Sequence, residues 1–174
     1  MKILSVIGFS MILTLAACDN KSSDNKAEGQ TQDAAPVIDD PALCQALADA
    51  HEHEAPEGYT ASPKHTFYVK LDWSSPLLAG ELNNSASVTF ISGHGDPLPM
   101  NLKSFKLFMP SMGHGTIKAD KLVFTQNATA KNIWNVGQVY FSMGGGPGEW
   151  VVDVEATACG YTDTARVVIV QEVQ

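Results

Sequence analysis

Seven short apolar runs, each bounded by turn-forming residues, decide most of what this chain can fold into. They are TFYVKLDW (66–73), ASVTFIS (86–92), KSFKLFM (103–109), KLVFTQ (121–126), GQVYFSM (137–143), EWVVDVEAT (149–157) and DTARVVIVQ (163–171). In the third, Phe105 and Leu107 alternate against Lys106 and Phe108; in the sixth, Trp150, Val152 and Val154 alternate against Val151, Asp153 and Glu155. Alternation of period two gives a strand one buried face, and seven such strands at turn-punctuated spacing predict an antiparallel β-sandwich. The 174 residues fit one domain with appendages, at roughly 150 residues per domain, and no internal repeat is visible.

The appendages lie at the start. MKILSVIGFSMILTLAAC has a single Lys2, an apolar run from Ile3 and small residues leading to Cys18. The run falls short of the ~20 apolar residues of a membrane span, so residues 1–17 are expected to be an export signal. Leu15-Ala16-Ala17-Cys18 resembles the lipobox of bacterial lipoproteins, which implies lipidation of Cys18 and a membrane anchor. Asp19 resembles the inner-membrane retention signal of enterobacterial lipoproteins, so the inner membrane, facing the periplasm, is the favoured location. Residues 19–39 are polar, poor in aromatics and aperiodic, as expected of a disordered tether spanning roughly 25 Å. The domain is expected to occupy 40–174.

With Cys18 assigned to lipid, Cys44 and Cys159 remain, and two thiols in an oxidising compartment usually pair. The alternative role for them is thiolate metal ligation. Asp40-Pro41 has the form of an N-cap followed by proline at the first helical position. Leu43, Leu47 and Ala50 continue at helical spacing, predicting a short helix to about residue 52. A Cys44–Cys159 bond would staple that helix to the end of the domain.

The chemistry-bearing stretch is MPSMGHGT, residues 109–116. Met109, Met112 and His114 are soft-to-borderline ligands in a turn stiffened by Pro110, with Gly113 and Gly115 free to take unusual backbone angles. Thioethers select Cu(I), and imidazole also suits copper, whereas zinc or calcium would ask for thiolate or carboxylate. The competing reading makes Met109 core filler, Met112 a cap on the sandwich and His114 a solvated side chain. If successive strands alternate up and down, the loops after 109 and 143 share one end of the sandwich. Met143 then neighbours the turn, while His94, Met100 and Cys159 lie at the other end.

FMPSMGHGT, followed about thirty residues later by VYFSMGGGPGEWVVDVEA, resembles the YtkA-like domain family over roughly residues 66–172. The resemblance implies an immunoglobulin-like sandwich. It also implies kinship with the FixH group, which is linked to copper supply for haem-copper oxidases, and thus a membrane-protein partner in copper handling. Met109, Met112, His114 and Met143 are the positions it carries over. This chain departs from the family in the longer GGGPG insertion before Trp150 and in a lipid anchor in place of a transmembrane helix.

Other features carry less. His51-Glu52-His53-Glu54 is expected to be a frayed, solvated helix end, since residues i and i+2 do not share a helix face, with weak recruitment of metal ions to the acidic surface as the alternative. His65 and His94 have no ligand partners nearby in sequence. GGGPG is followed by a strand rather than a helix, which excludes a phosphate-binding loop. No catalytic motif is present, and the chain is not expected to be an enzyme. The net charge of −8 argues against nucleic acid and favours cations. The two function readings are a copper-binding envelope lipoprotein and a non-metal module that docks onto a membrane complex through its methionine-rich loops.

Overall fold

The computed structural model describes residues 40–113, 115 and 117–174; the expected export signal, Cys18, the expected tether and His114 lie outside the described residues. The chain begins with helix α1 (Pro41–Ala48). Asp40 caps it as the sequence predicts, its Oδ1 accepting from the Ala42 N–H at 2.8 Å. The helix stops four residues earlier than expected, at the Asp49 C-cap. The Gln45 side-chain amide donates to the Asp49 carboxylate at 2.8 Å. Beyond it the chain runs without helical hydrogen bonding, because Tyr68 holds the His53 backbone instead: its hydroxyl accepts from the His53 N–H and donates to the His53 carbonyl.

Eight strands follow: β1 (Thr60–Ala61), β2 (Tyr68–Trp73), β3 (Asn84–Ile91), β4 (Asn101–Phe108), β5 (Val123–Gln126), β6 (Ile133–Val139), β7 (Val151–Ala158) and β8 (Tyr161–Val168). They form two antiparallel sheets, ordered β1-β2-β3-β6-β5 and β4-β7-β8. With the two-residue β1 set aside, the second to eighth strands have the four-plus-three arrangement of a constant-type immunoglobulin sandwich. The inward faces of both sheets merge into one core in which Phe67, Phe90, Phe105, Phe141 and Trp150 are buried. Each contributes roughly 1.5–3 kcal/mol relative to exposure. The Trp134 indole N–H crosses between the sheets to the Met100 carbonyl at 2.8 Å.

Six of the seven expected strands fall within two or three residues of their expected limits, but GQVYFSM does not. The strand there is Ile133–Val139, displaced toward the N-terminus, and Gly137 is inside it rather than at its boundary. The β3–β6 register slips between Asn84 and Ala86, opposite Val139 and Val136, which leaves an extra residue on β6. Gln138 absorbs it with a left-handed φ of 56°. Glycine beside such a bulge relieves the crowded backbone. Asn84 seals the same end of the sheet, its amide donating to the carbonyls of Leu78, Glu81 and Val139.

Cys44 and Cys159 form a disulfide, with Cα atoms 5.3 Å apart. Cys159 and Gly160 make the two-residue turn joining β7 to β8, both with positive φ (50° and 76°). That is the turn whose twist matches a hairpin. The bond fastens α1 to this hairpin, and Leu47 enters the core. Among the described residues no helix is long and apolar enough to cross a membrane.

Candidate functional site

β4 and β7 pair so that Phe108 faces Val151. The end of the one strand therefore adjoins the start of the other, and the turn after Met109 lies at the same end as the loop containing Met143. Met109 is 3% exposed and belongs to the core. Its methyl lies so close over Gly145 that a Cβ there would sit 3.0 Å from Met109 Cε and 2.9 Å from the Trp150 indole nitrogen. Met143 is half-buried and packs against the core. Met112 is 55% exposed, in a turn closed by its N–H on the Met109 carbonyl at 3.2 Å.

The rest of this methionine end is held from two sides. Lys118 Nζ sits 3.9 Å from the centroid of the Tyr140 ring, anchoring the loop beyond the turn. The segment ending at Gln174 returns as a strap: Gly145 and Val173 exchange two backbone hydrogen bonds at 2.9 and 2.8 Å, and the Gln174 N–H donates to Leu77. Two buried polar atoms here have no hydrogen-bond partner, Ser142 Oγ and Trp150 Nε1. As a donor, the indole N–H offers a cation nothing; the thioethers are what a soft ion would use, and their chemistry fits Cu(I).

At the opposite end the structure gathers residues the sequence leaves apart. Because the helix ends at Ala48, His51 and His53 lie on non-helical chain, where residues i and i+2 of an extended segment point the same way. Their ring centroids are 4.3 Å apart. His94 joins them at 4.6 Å from His53 and 6.1 Å from His51. The β3–β4 loop presents it through a turn built on Ser92, whose hydroxyl accepts from the N–H groups of His94 and Asp96. His53 lies against Gly93, where a Cβ would collide with its Cδ2. His65 stands behind, its Nδ1 3.3 Å from the Tyr68 hydroxyl.

These rings edge a cleft of about 730 Å³ between α1 and the β3–β4 loop. Leu43, Leu47, Leu98 and Pro97 make its apolar walls, with Asp49 and Asp96 at its margin. The His53 imidazole is held below the usual histidine value of 6.5, first by lost hydration, then by the like charge of His51, His94 and His65. Among the described residues, as the side chains stand, no group of three or more His, Cys, Asp or Glu is placed to hold a metal ion.

Sequence reasoning thus located the methionine end and singled out His51 and His53, but did not join His94 to them. The overlooked signal was the i, i+2 spacing of His51 and His53, which is a strand spacing. His94 has no local signal, since only the fold brings it near. Compared with protein-family models, curated proteins and solved structures, the chain has no significant match in any of the three.

Proposed function

We propose that this protein is a cell-envelope lipoprotein that binds Cu(I) through thioether and imidazole and delivers or buffers it near the membrane. Lipid on Cys18 would tether it, with the inner membrane the favoured surface and a membrane protein of copper handling the partner. The observation that carries the reading is the β4–β7 register, which sets the Met109–Met112 turn beside the loop of Met143. The resemblance of FMPSMGHGT to the YtkA-like family supports the same assignment. Met112, the exposed thioether, would meet an incoming ion first, Met109 and Met143 would supply sulfur from below, and His114 follows Met112 two residues later in sequence. Competition titration of Cu(I) with the full chain and with Met112→Ala and His114→Ala tests this. Affinity should fall in each variant, and unchanged affinity in both ends the reading.

A second reading, a docking module without metal, is favoured by a separate observation. Among the described residues six large apolar side chains are exposed: Met112, Ile117, Val123, Tyr161, Val168 and Val170. By strand pairing all but Tyr161 belong to the methionine end. Exposed apolar clusters mark interaction surfaces, and methionine adapts to varied partners. Crosslinking in membranes separates the two. Metal-independent capture of one membrane partner, lost on Ile117→Asp, supports docking; capture that requires Cu(I) supports delivery.

A further inference from the structure

We propose that His51, His53 and His94 bind a divalent cation of borderline softness, Zn(II) or Cu(II), at the mouth of the cleft between α1 and the β3–β4 loop. This site is separate from the methionine end: eight residues of β4 lie between them, roughly 26 Å at 3.3 Å per residue.

The first support is spacing. A ring nitrogen ~2.0–2.1 Å from a metal puts the ring centroid ~3.2 Å away, so imidazoles at near-tetrahedral angles have centroids ~5 Å apart. The three separations here, 4.3, 4.6 and 6.1 Å, bracket that value.

The second support is the hydrogen on His51. Its Nδ1 is 2.8 Å from the Asp49 carbonyl oxygen, which only accepts. Nδ1 therefore carries the proton, and in the neutral ring the lone pair is on Nε2. A backbone carbonyl that takes one ring N–H and orients the other nitrogen is the usual outer support of a metal-binding histidine.

The third support is positioning. Tyr68 fixes the His53 backbone through two hydrogen bonds, 3.1 and 2.8 Å, and Gly93 leaves room for the ring. With His51 held by Asp49, the ring that must turn to bring its nitrogen onto the same point is that of His94, which is exposed and meets little resistance. Three protein ligands leave a fourth position for water or a ligand lodged in the cleft. Imidazole suits both zinc and copper, and Cu(II) should bind the more tightly of the two.

The test titrates the full chain in detergent with Zn(II) by calorimetry and with Cu(II) by electron paramagnetic resonance, no Cu(I) being present. One equivalent should bind, Cu(II) should show coupling to imidazole nitrogens, and substoichiometric Zn(II) should shift the ring resonances of all three histidines. His94→Gln and His51→Gln should each weaken binding by at least about tenfold, the lower bound for losing even an outer support. Both residues are exposed, and circular dichroism checks that the variants fold. Met112→Ala should leave this binding unchanged, so the result is independent of the Cu(I) titration. Tight binding that survives in the His51→Gln, His94→Gln double variant, or no binding to the folded chain, overturns the proposal.

Discussion

The two ends of the sandwich present their chemistry in opposite ways. At the methionine end the residues are neighbours in sequence, yet packing separates them: Met109 is 3% exposed while Met112 is 55% exposed. At the histidine end His51 and His94 are far apart in sequence, yet packing unites them, with centroids 6.1 Å apart. The methionine end is fastened by backbone hydrogen bonds to the strap at Val173, the histidine end by a covalent bond between α1 and a hairpin. A motif contiguous in sequence is thus no guide to which of its side chains can meet a ligand; strand register decides that.

The largest expected effect tests the difference in fastening. Replacing Cys44 and Cys159 together with alanine should cost up to about 5 kcal/mol by the chain-entropy model, read by urea denaturation. Hydrogen exchange should then rise in α1 before it rises at the Gly145 and Val173 amides. Simultaneous loss of protection at both ends would show that the ends are not separately secured.

A smaller effect tests the difference in burial. Met109→Ala should destabilise the fold by about 3 kcal/mol, the usual range for emptying a methionine-sized core position, whereas Met112→Ala should stay within about 0.5 kcal/mol. Equal costs would break the distinction between a core thioether and a presented one.

The smallest effect concerns protonation at the histidine end. By NMR, His53 should titrate below 6.5, and His51→Ala should move it back toward that value by removing the nearest like charge. Because the folded chain binds this proton more weakly than the unfolded one, the stability associated with His53 is present above 6.5. It is lost as the pH falls through the folded value. An unchanged His53 titration in His51→Ala would mean that the two rings are not electrostatic neighbours.

Much of the fold was legible because strands of a sandwich carry their burial in the sequence. Phe105 and Leu107 in β4, and Val152 and Val154 in β7, alternate inward as written and are buried. β6 was misplaced because Gly137 reads as punctuation, whereas here it sits beside a bulge whose need arises only from pairing with β3. The methionine turn was legible as chemistry but not as geometry, since the burial of Met109 depends on Trp150 and Gly145 from another loop. The histidine cluster was only partly legible, for two physical reasons. His51 and His53 were assigned helical spacing although the helix ends at Ala48, and His94 arrives through a turn that only β3 and β4 position.

The strap has a consequence in time. Val173 follows every strand among the described residues, and during synthesis the chain emerges from its N-terminus onward. α1 and the segment 51–53 therefore emerge before the strands, while Leu77 and Gly145 must await a partner made after β8. The end that carries the thioethers is closed only after the last strand of the sandwich has been made.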